Sequence, residues 1–240
     1  MLGETGGIMD HRVVSHDEWL SARTAFLVKE KELTRLRDEV SRERRALPWE
    51  AVTKDYVFDG PNGRETLREL FDGRSQLIVY HFMFDPAWEA GCPHCSRWAD
   101  SFNGAVVHLA QRDVTMVAIS RAPFHKLSAY RERMGWTFKW VSSFETDFNV
   151  DYGVSFTPEE VAAKSAFYNF TQQDPRSTQR EGASVFYRDS TGRLFHTYST
   201  YARGIEPLTV DYQYLDLVPK GRDENGRGPF WVRRHDEYGR

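Results

Sequence analysis

Cys92 and Cys95 are the only cysteines among 240 residues, and they stand in the stretch EAGCPHCSRW with Pro93 and His94 between them. Two thiols at this spacing have three uses. They can close reversibly into a disulfide, hold a soft metal together, or fill a core as small inert residues. A two-residue spacer lets the sulfurs meet with little backbone movement, so one thiolate can attack a disulfide and the other can resolve the product. Zinc needs two further ligands, and no second pair of cysteines exists; His81 and His94 would have to serve. Copper(I) suits the same thiolates. Inert packing fits a Gly-Cys-Pro loop poorly. A redox pair is therefore expected, with no cofactor and no metal.

The elements around the pair must make one sulfur reactive. Residues 76–84 (QLIVYHFMF) form a near-continuous apolar run, as in a buried central strand. Residues 95–112 have helical periodicity through Trp98, Phe102, Val106 and Leu109; 114–120 predict a second buried strand and 124–134 a helix. This order is a βαβ unit with a parallel strand pair. Sites in such sheets gather at the carboxyl ends of strands, and a helix N-terminus there favours an anion such as a thiolate. Pro93 suits the first helical position, where no N–H is needed. Cys92 is then the nucleophile and Cys95, one turn in and less exposed, the resolving thiol.

The neighbours complete the expected active-site loop. His94 can favour the Cys92 thiolate. His81, in the buried strand, is a candidate to relay protons, with a satisfied core histidine as the alternative. Trp88 and Trp98 flank the loop as a platform or as packing. Asp85 and Glu89 would oppose a thiolate or accept the proton of the resolving thiol.

Charge and hydropathy exclude other classes. Net charge is −3 and the sequence pI is about 6.3, so neither nucleic acid nor an anionic membrane is an expected partner. The longest apolar stretch, 77–84, is far too short for a bilayer span. The opening MLGETGGIMDHRVV lacks a basic-then-apolar leader pattern, and a cytoplasmic location is expected. Structural disulfides are rare there, which again favours a reactive pair.

Residues 1–14 are expected to be a flexible tail and 15–48 a long amphipathic helix, opened by Ser15 and Glu18 as a capping box and stopped by Pro48. Trp19, Phe26, Leu33, Val40 and Leu47 recur every seven residues. That stripe predicts packing on the helix's own globule, with a homodimer through this helix as the alternative. Residues 49–218 are expected to form the catalytic domain, with an aromatic insertion at about 135–175. Residues 182–188 and 194–201 read as a hairpin. Residues 219–240 form a charged tail whose Phe230 and Trp231 predict docking at an unspecified place.

The stretches DYVFDGPNGRETLRELFDGRSQLIVYHFMF, GCPHCSRWAD and VTMVAISRAP resemble the thioredoxin superfamily. More closely, they resemble the thioredoxin-like family known as domain of unknown function 899, described as predicted dithiol–disulfide oxidoreductases. The Pro-His spacer is that of the bacterial periplasmic disulfide oxidase. The resemblance implies an α/β, thioredoxin-like fold in its peroxiredoxin-like variant: a central sheet flanked by helices with a long N-terminal helical extension. It also implies that Cys92 is the nucleophile and Cys95 the resolving cysteine, exchanging a disulfide with a protein or small-thiol client. Two departures stand out. Thioredoxin-like oxidoreductases carry a cis-proline just before the strand that faces the cysteines; here that strand begins GASVFY, and no proline lies between Pro175 and Pro207. Peroxiredoxin sites read P-x-x-x-T/S-x-x-C. Counted from Pro86, Ala90 takes the hydroxyl position and Pro93 the cysteine position. A thiol peroxidase and a non-catalytic binding module are the alternatives to the oxidoreductase.

Overall fold

The structure, a computed structural model, describes residues 11–239, so most of the expected N-terminal tail lies outside the described residues. Ten strands are described: β1 (Glu50–Ala51), β2 (Val57–Gly60), β3 (Gly63–Thr66), β4 (Gln76–His81), β5 (Val114–Ser120), β6 (Trp140–Ser142), β7 (Ala166–Tyr168), β8 (Thr171–Gln173), β9 (Gly182–Arg188) and β10 (Leu194–Tyr201). The helices are α1 (His16–Arg45), α2 (Pro93–Ala99), α3 (Phe102–Ala110), α4 (Phe124–Arg133), α5 (Phe148–Asp151), α6 (Pro158–Ala162) and α7 (Val210–Leu215).

Eight strands form one sheet in the order β1-β10-β9-β4-β5-β6-β2-β3, and β7 pairs with β8 separately. β4 lies at the centre, parallel to β5 and antiparallel to β9. Strand pleating turns alternate residues to opposite faces. Leu77 and Val79 therefore pack with Ile119, Phe148 and Phe186 on one side. Tyr80, and beyond the strand end Phe82 and Phe84, pack on the other side with Cys95, Tyr130 and Trp140. Phe82 and Phe84 are each 1% exposed, and truncating either to alanine costs about 3–5 kcal/mol. The parallel β4–β5 pair, the helices after β4 and the antiparallel β9–β10 hairpin make a thioredoxin-like sheet. β6 and the β2–β3 hairpin extend it at the far edge, which is the expected peroxiredoxin-like variant.

The single helix predicted over 95–112 is broken into α2 and α3. Asp100 is held sideways, accepting from the Trp136 indole N–H at 2.9 Å, and the Ser101 hydroxyl donates to the Trp98 carbonyl at 2.9 Å. Such side-chain bonds compete with helix continuation. The break aims the short α2 at the site and leaves α3 to cover β5.

α1 begins with the expected capping box: the Glu18 amide donates to the Ser15 hydroxyl, and the Ser15 amide donates to the Glu18 carboxylate. Its packing departs from expectation. No residue of α1 is buried, and Trp19 and Phe26 are more than half exposed. The narrow stripe, Trp19, Phe26, Leu33 and Val40 with Leu20, Leu27 and Leu36 beside it, is interrupted by Lys29 and Glu43 and lies exposed. Contact with the globule is made near its end, where the Arg44 guanidinium lies 4.8 Å from the Tyr198 ring centre. The aromatics of 135–175 divide: Trp136, Phe138 and Trp140 join the core around Cys95, Phe148 joins the opposite core, and Phe167 and Phe170 are exposed.

Candidate active site

Cys92 is the N-cap of α2, and Pro93 opens the helix. The loop that carries it from β4 is tightly seated. A Cβ on Gly91 would lie 2.7 Å from the Phe82 ring and 3.0 Å from Tyr130, so only glycine passes there. The Cys92 amide donates to the Met83 carbonyl at 3.1 Å. The Cys92 carbonyl accepts from the Ser96 amide and the Ser96 hydroxyl, both at 2.9 Å. The Ser96 hydroxyl accepts in turn from Tyr130 at 2.9 Å. Arg234 completes the chain: its Nη2 donates to the Gly91 carbonyl and its Nε to the Tyr130 hydroxyl, each at 2.8 Å. The C-terminal tail thus docks on the cysteine loop.

The two cysteines are 3.9 Å apart and not joined by a disulfide. Cys92 is partly exposed, whereas Cys95 is 1% exposed. The Cys92 thiol is pushed below its ordinary value, first because the Cys95 thiol donates to it; the Cys95 and His94 amides add to this against burial and Glu181. Cys95 is pushed well up, first by burial, then by the Cys92 sulfur it serves and by Glu181. The Met83 amide donates to Cys95 Sγ at 3.4 Å. The Tyr80 hydroxyl is buried beside this sulfur without a well-formed hydrogen bond, and its nearness opposes the rise of the Cys95 thiol. One thiol is thus an available nucleophile and the other a shielded proton donor.

The sequence-derived site residues separate. Pro93 takes its expected place. The His94 side chain is exposed; partial desolvation and the Arg97 charge push its imidazole toward the neutral form, so it supports the thiolate through its backbone N–H. Trp88 packs at the edge of the core around Cys95. His81 is not brought to the thiols. The pleat turns it to the opposite face, where Nε2 bonds the Ser184 hydroxyl at 2.8 Å and the ring lies on Phe148 and Tyr152. It is a core histidine, and it is separated from any metal set with the two cysteines. Asp85 is also diverted, accepting from Thr178 at 2.8 Å.

Sequence reasoning missed the residues that surround the sulfurs instead. Glu181 acts on both thiols from the position just before β9, where the missing proline marked a departure. Tyr80 is the residue next to His81, on the correct side of the pleat. Arg234 had no local signal, being 143 residues from Gly91.

A cavity of about 660 Å³ opens over the pair, walled by Met83, Trp98, Arg180, Glu181 and, from the tail, Pro229. Arg97 lies in its wall. The Arg97 side chain is 9% exposed; Nε donates to Asp211 at 2.6 Å, and the guanidinium lies 3.9 Å from the Tyr212 ring centre and 5.1 Å from that of Trp231.

A family model described as bacterial protein of unknown function (DUF899) matches residues 8–238. No curated protein matches the sequence. Among solved structures, the chain is similar to peroxidoxin BcpB from Mycobacterium tuberculosis, at 14% identity and a TM-score of 0.45, covering 68% of this chain and 93% of that one. It is also similar to the mitochondrial 2-Cys peroxiredoxin from Plasmodium falciparum, at 15% identity and a TM-score of 0.42, covering 70% and 92%. Peroxiredoxin Q from Xanthomonas campestris gives 14% identity and a TM-score of 0.43 over 74% and 99%.

Proposed function

The chain belongs to the bacterial family DUF899, and for this member we propose a thiol–disulfide oxidoreductase in which Cys92 and Cys95 exchange a disulfide with a client. The observation that carries this reading is the asymmetry of the pair: a lowered, accessible thiol at a helix N-terminus beside a raised, buried one.

The reaction begins with the Cys92 thiolate attacking one sulfur of a client disulfide. The client S–S bond breaks, a Cys92–client mixed disulfide forms, and the first client thiolate leaves and takes a proton. Cys95 then loses its proton and attacks Cys92 Sγ. The bond from Cys92 to the client breaks, the second client thiol leaves, and the Cys92–Cys95 disulfide remains. The client gains two electrons, which the dithiol loses, and the two cysteine protons end on the two client thiols. Glu181 is the acidic group that acts on both sulfurs and holds their protons more tightly. The pKa directions fit this order, because the first step needs a thiolate at neutral pH and the second needs a thiol that deprotonates late.

A peroxide as oxidant is the second reading. The nearness of Cys95 favours it, since a Cys92 sulfenic acid would be met at once by a resolving thiol, with loss of water. Against it, Ala90 brings no hydroxyl to the loop.

Trapping tests the proposal. With oxidised glutathione, Cys95→Ser is expected to accumulate one glutathione adduct on Cys92, and Cys92→Ser to accumulate none on Cys95. Equal labelling of both variants would remove the assignment of roles.

A further inference from the structure

Arg97 lies in the wall of the cavity over the dithiol. It stands on α2, five residues beyond Cys92. Its charge is held in position by Asp211 and by the Tyr212 and Trp231 rings. Yet Nη2, buried from water, has no hydrogen-bond partner among the described residues. A buried donor of this kind costs stability unless something takes it up. An arginine fork fits a carboxylate in particular. Arg180 and the exposed Arg176 stand on another wall of the same cavity.

The cavity's size and shape limit the occupant. About 660 Å³ is the volume of a small-molecule site. The tail forms part of the rim through Gly228 and Pro229, so Cys92 lies in a recess rather than on an open face. The segment just before β9 presents the Arg180 and Glu181 side chains there, where a proline loop would leave backbone free to pair with an extended peptide.

We infer that the recess over Cys92 is a subsite for a low-molecular-weight disulfide bearing carboxylates, anchored by the Arg97 guanidinium and aided by Arg180. The inference rests on the dithiol reading and specifies its client. Anchoring the carboxylate sets one sulfur of the disulfide in front of Cys92. The bonds made and broken are those of the exchange above, with one client disulfide becoming two client thiols.

Two probes of different charge test it on the full chain. Oxidised glutathione carries carboxylates; bis(2-hydroxyethyl) disulfide is neutral. The rate constant for oxidation of the reduced protein is expected to be at least about tenfold higher for oxidised glutathione, and Arg97→Gln should reduce that ratio about tenfold. Arg97→Lys should recover part of it. Arg180→Gln should lower the ratio in the same direction, which keeps the test available if Arg97→Gln fails to fold. A ratio near one in the wild type, or one unchanged in both glutamine variants, overturns the inference. Calorimetry with S-methylglutathione and Cys92→Ser separates binding from chemistry. Saturable binding that Arg97→Gln weakens supports the subsite even if no exchange occurs, whereas exchange without such binding overturns the subsite and leaves the dithiol reading standing.

Discussion

Arg234 donates from Nη2 to the carbonyl of Gly91, the residue before Cys92, at 2.8 Å. The same guanidinium donates to Tyr130, whose hydroxyl leads through Ser96 to the Cys92 carbonyl. The tail is thereby a brace on the nucleophile's backbone, and the position of Cys92 depends on a residue 143 positions from its neighbour Gly91. Arg234→Met is expected to destabilise the chain by about 1–3 kcal/mol, because the Gly91 carbonyl and the Tyr130 hydroxyl both lose a charged donor. At this chain length that is a fall in Tm of roughly 2–4 °C for each kcal/mol. Thermal melts check it, and an unchanged Tm would show that the brace carries no load.

Tyr80 separates stability from chemistry. Its hydroxyl is buried without a well-formed hydrogen bond while both cysteines are reduced, so Tyr80→Phe should cost little or no stability. The hydroxyl becomes useful when Cys95 must carry negative charge to attack the mixed disulfide. Tyr80→Phe is expected to slow that second step about tenfold while leaving the first attack unchanged. Quenched-flow mass spectrometry of the glutathione adduct reads both steps. Equal slowing of the two would make Tyr80 a packing residue.

Glu181 raises the proton affinity of both thiols. Glu181→Gln is therefore expected to move the midpoint of Cys92 alkylation to lower pH. It should also make the pair more oxidising, since a thiolate that is easier to form stabilises the reduced state. The pH profile of iodoacetamide labelling measures the first effect, and equilibration with glutathione buffers measures the second. A midpoint moved upward would contradict the placement of this carboxylate.

His81 sets a pH dependence of folding. Burial, with a contribution from His196, pushes its imidazole down to about 3 from an ordinary 6.5. Between those values the unfolded chain binds a proton at this position that the folded chain refuses. Stability from the neutral, buried ring is complete above about pH 6.5 and is lost as pH falls toward 3, at up to about 1.4 kcal/mol per pH unit from this one group. His81→Gln should flatten the slope of urea-unfolding free energy between pH 4.5 and 6. An unchanged slope would mean that the ring titrates normally in the folded state.

Local patterns carried much of this site. The apolar run at 76–84, the helical period after it and Pro93 between them place Cys92 at a strand end and a helix start, and each is read within about twenty residues. The parity of β4 was also legible. Tyr80, Phe82 and Phe84 share a face, and the choice of His81 as the neighbour of the thiols went against that alternation. What no local pattern contains is the long-range closure: Arg234 on Gly91, Glu181 before β9, Asp211 on Arg97. The apolar stripe of α1 shows the reverse limit. Its seven-residue spacing is real, but periodicity names a face and not what covers it.

The dithiol itself is the central claim. The full chain is equilibrated across buffers from strongly reducing to strongly oxidising glutathione, quenched in acid, alkylated and weighed. One reversible two-electron transition is expected, with both cysteines alkylated at one extreme and neither at the other. The oxidised form should be two protons lighter than the reduced one; neither Cys92→Ser nor Cys95→Ser should form that species, Cys95→Ser giving the glutathione adduct on Cys92 instead. Two alkylatable thiols at every potential would contradict it.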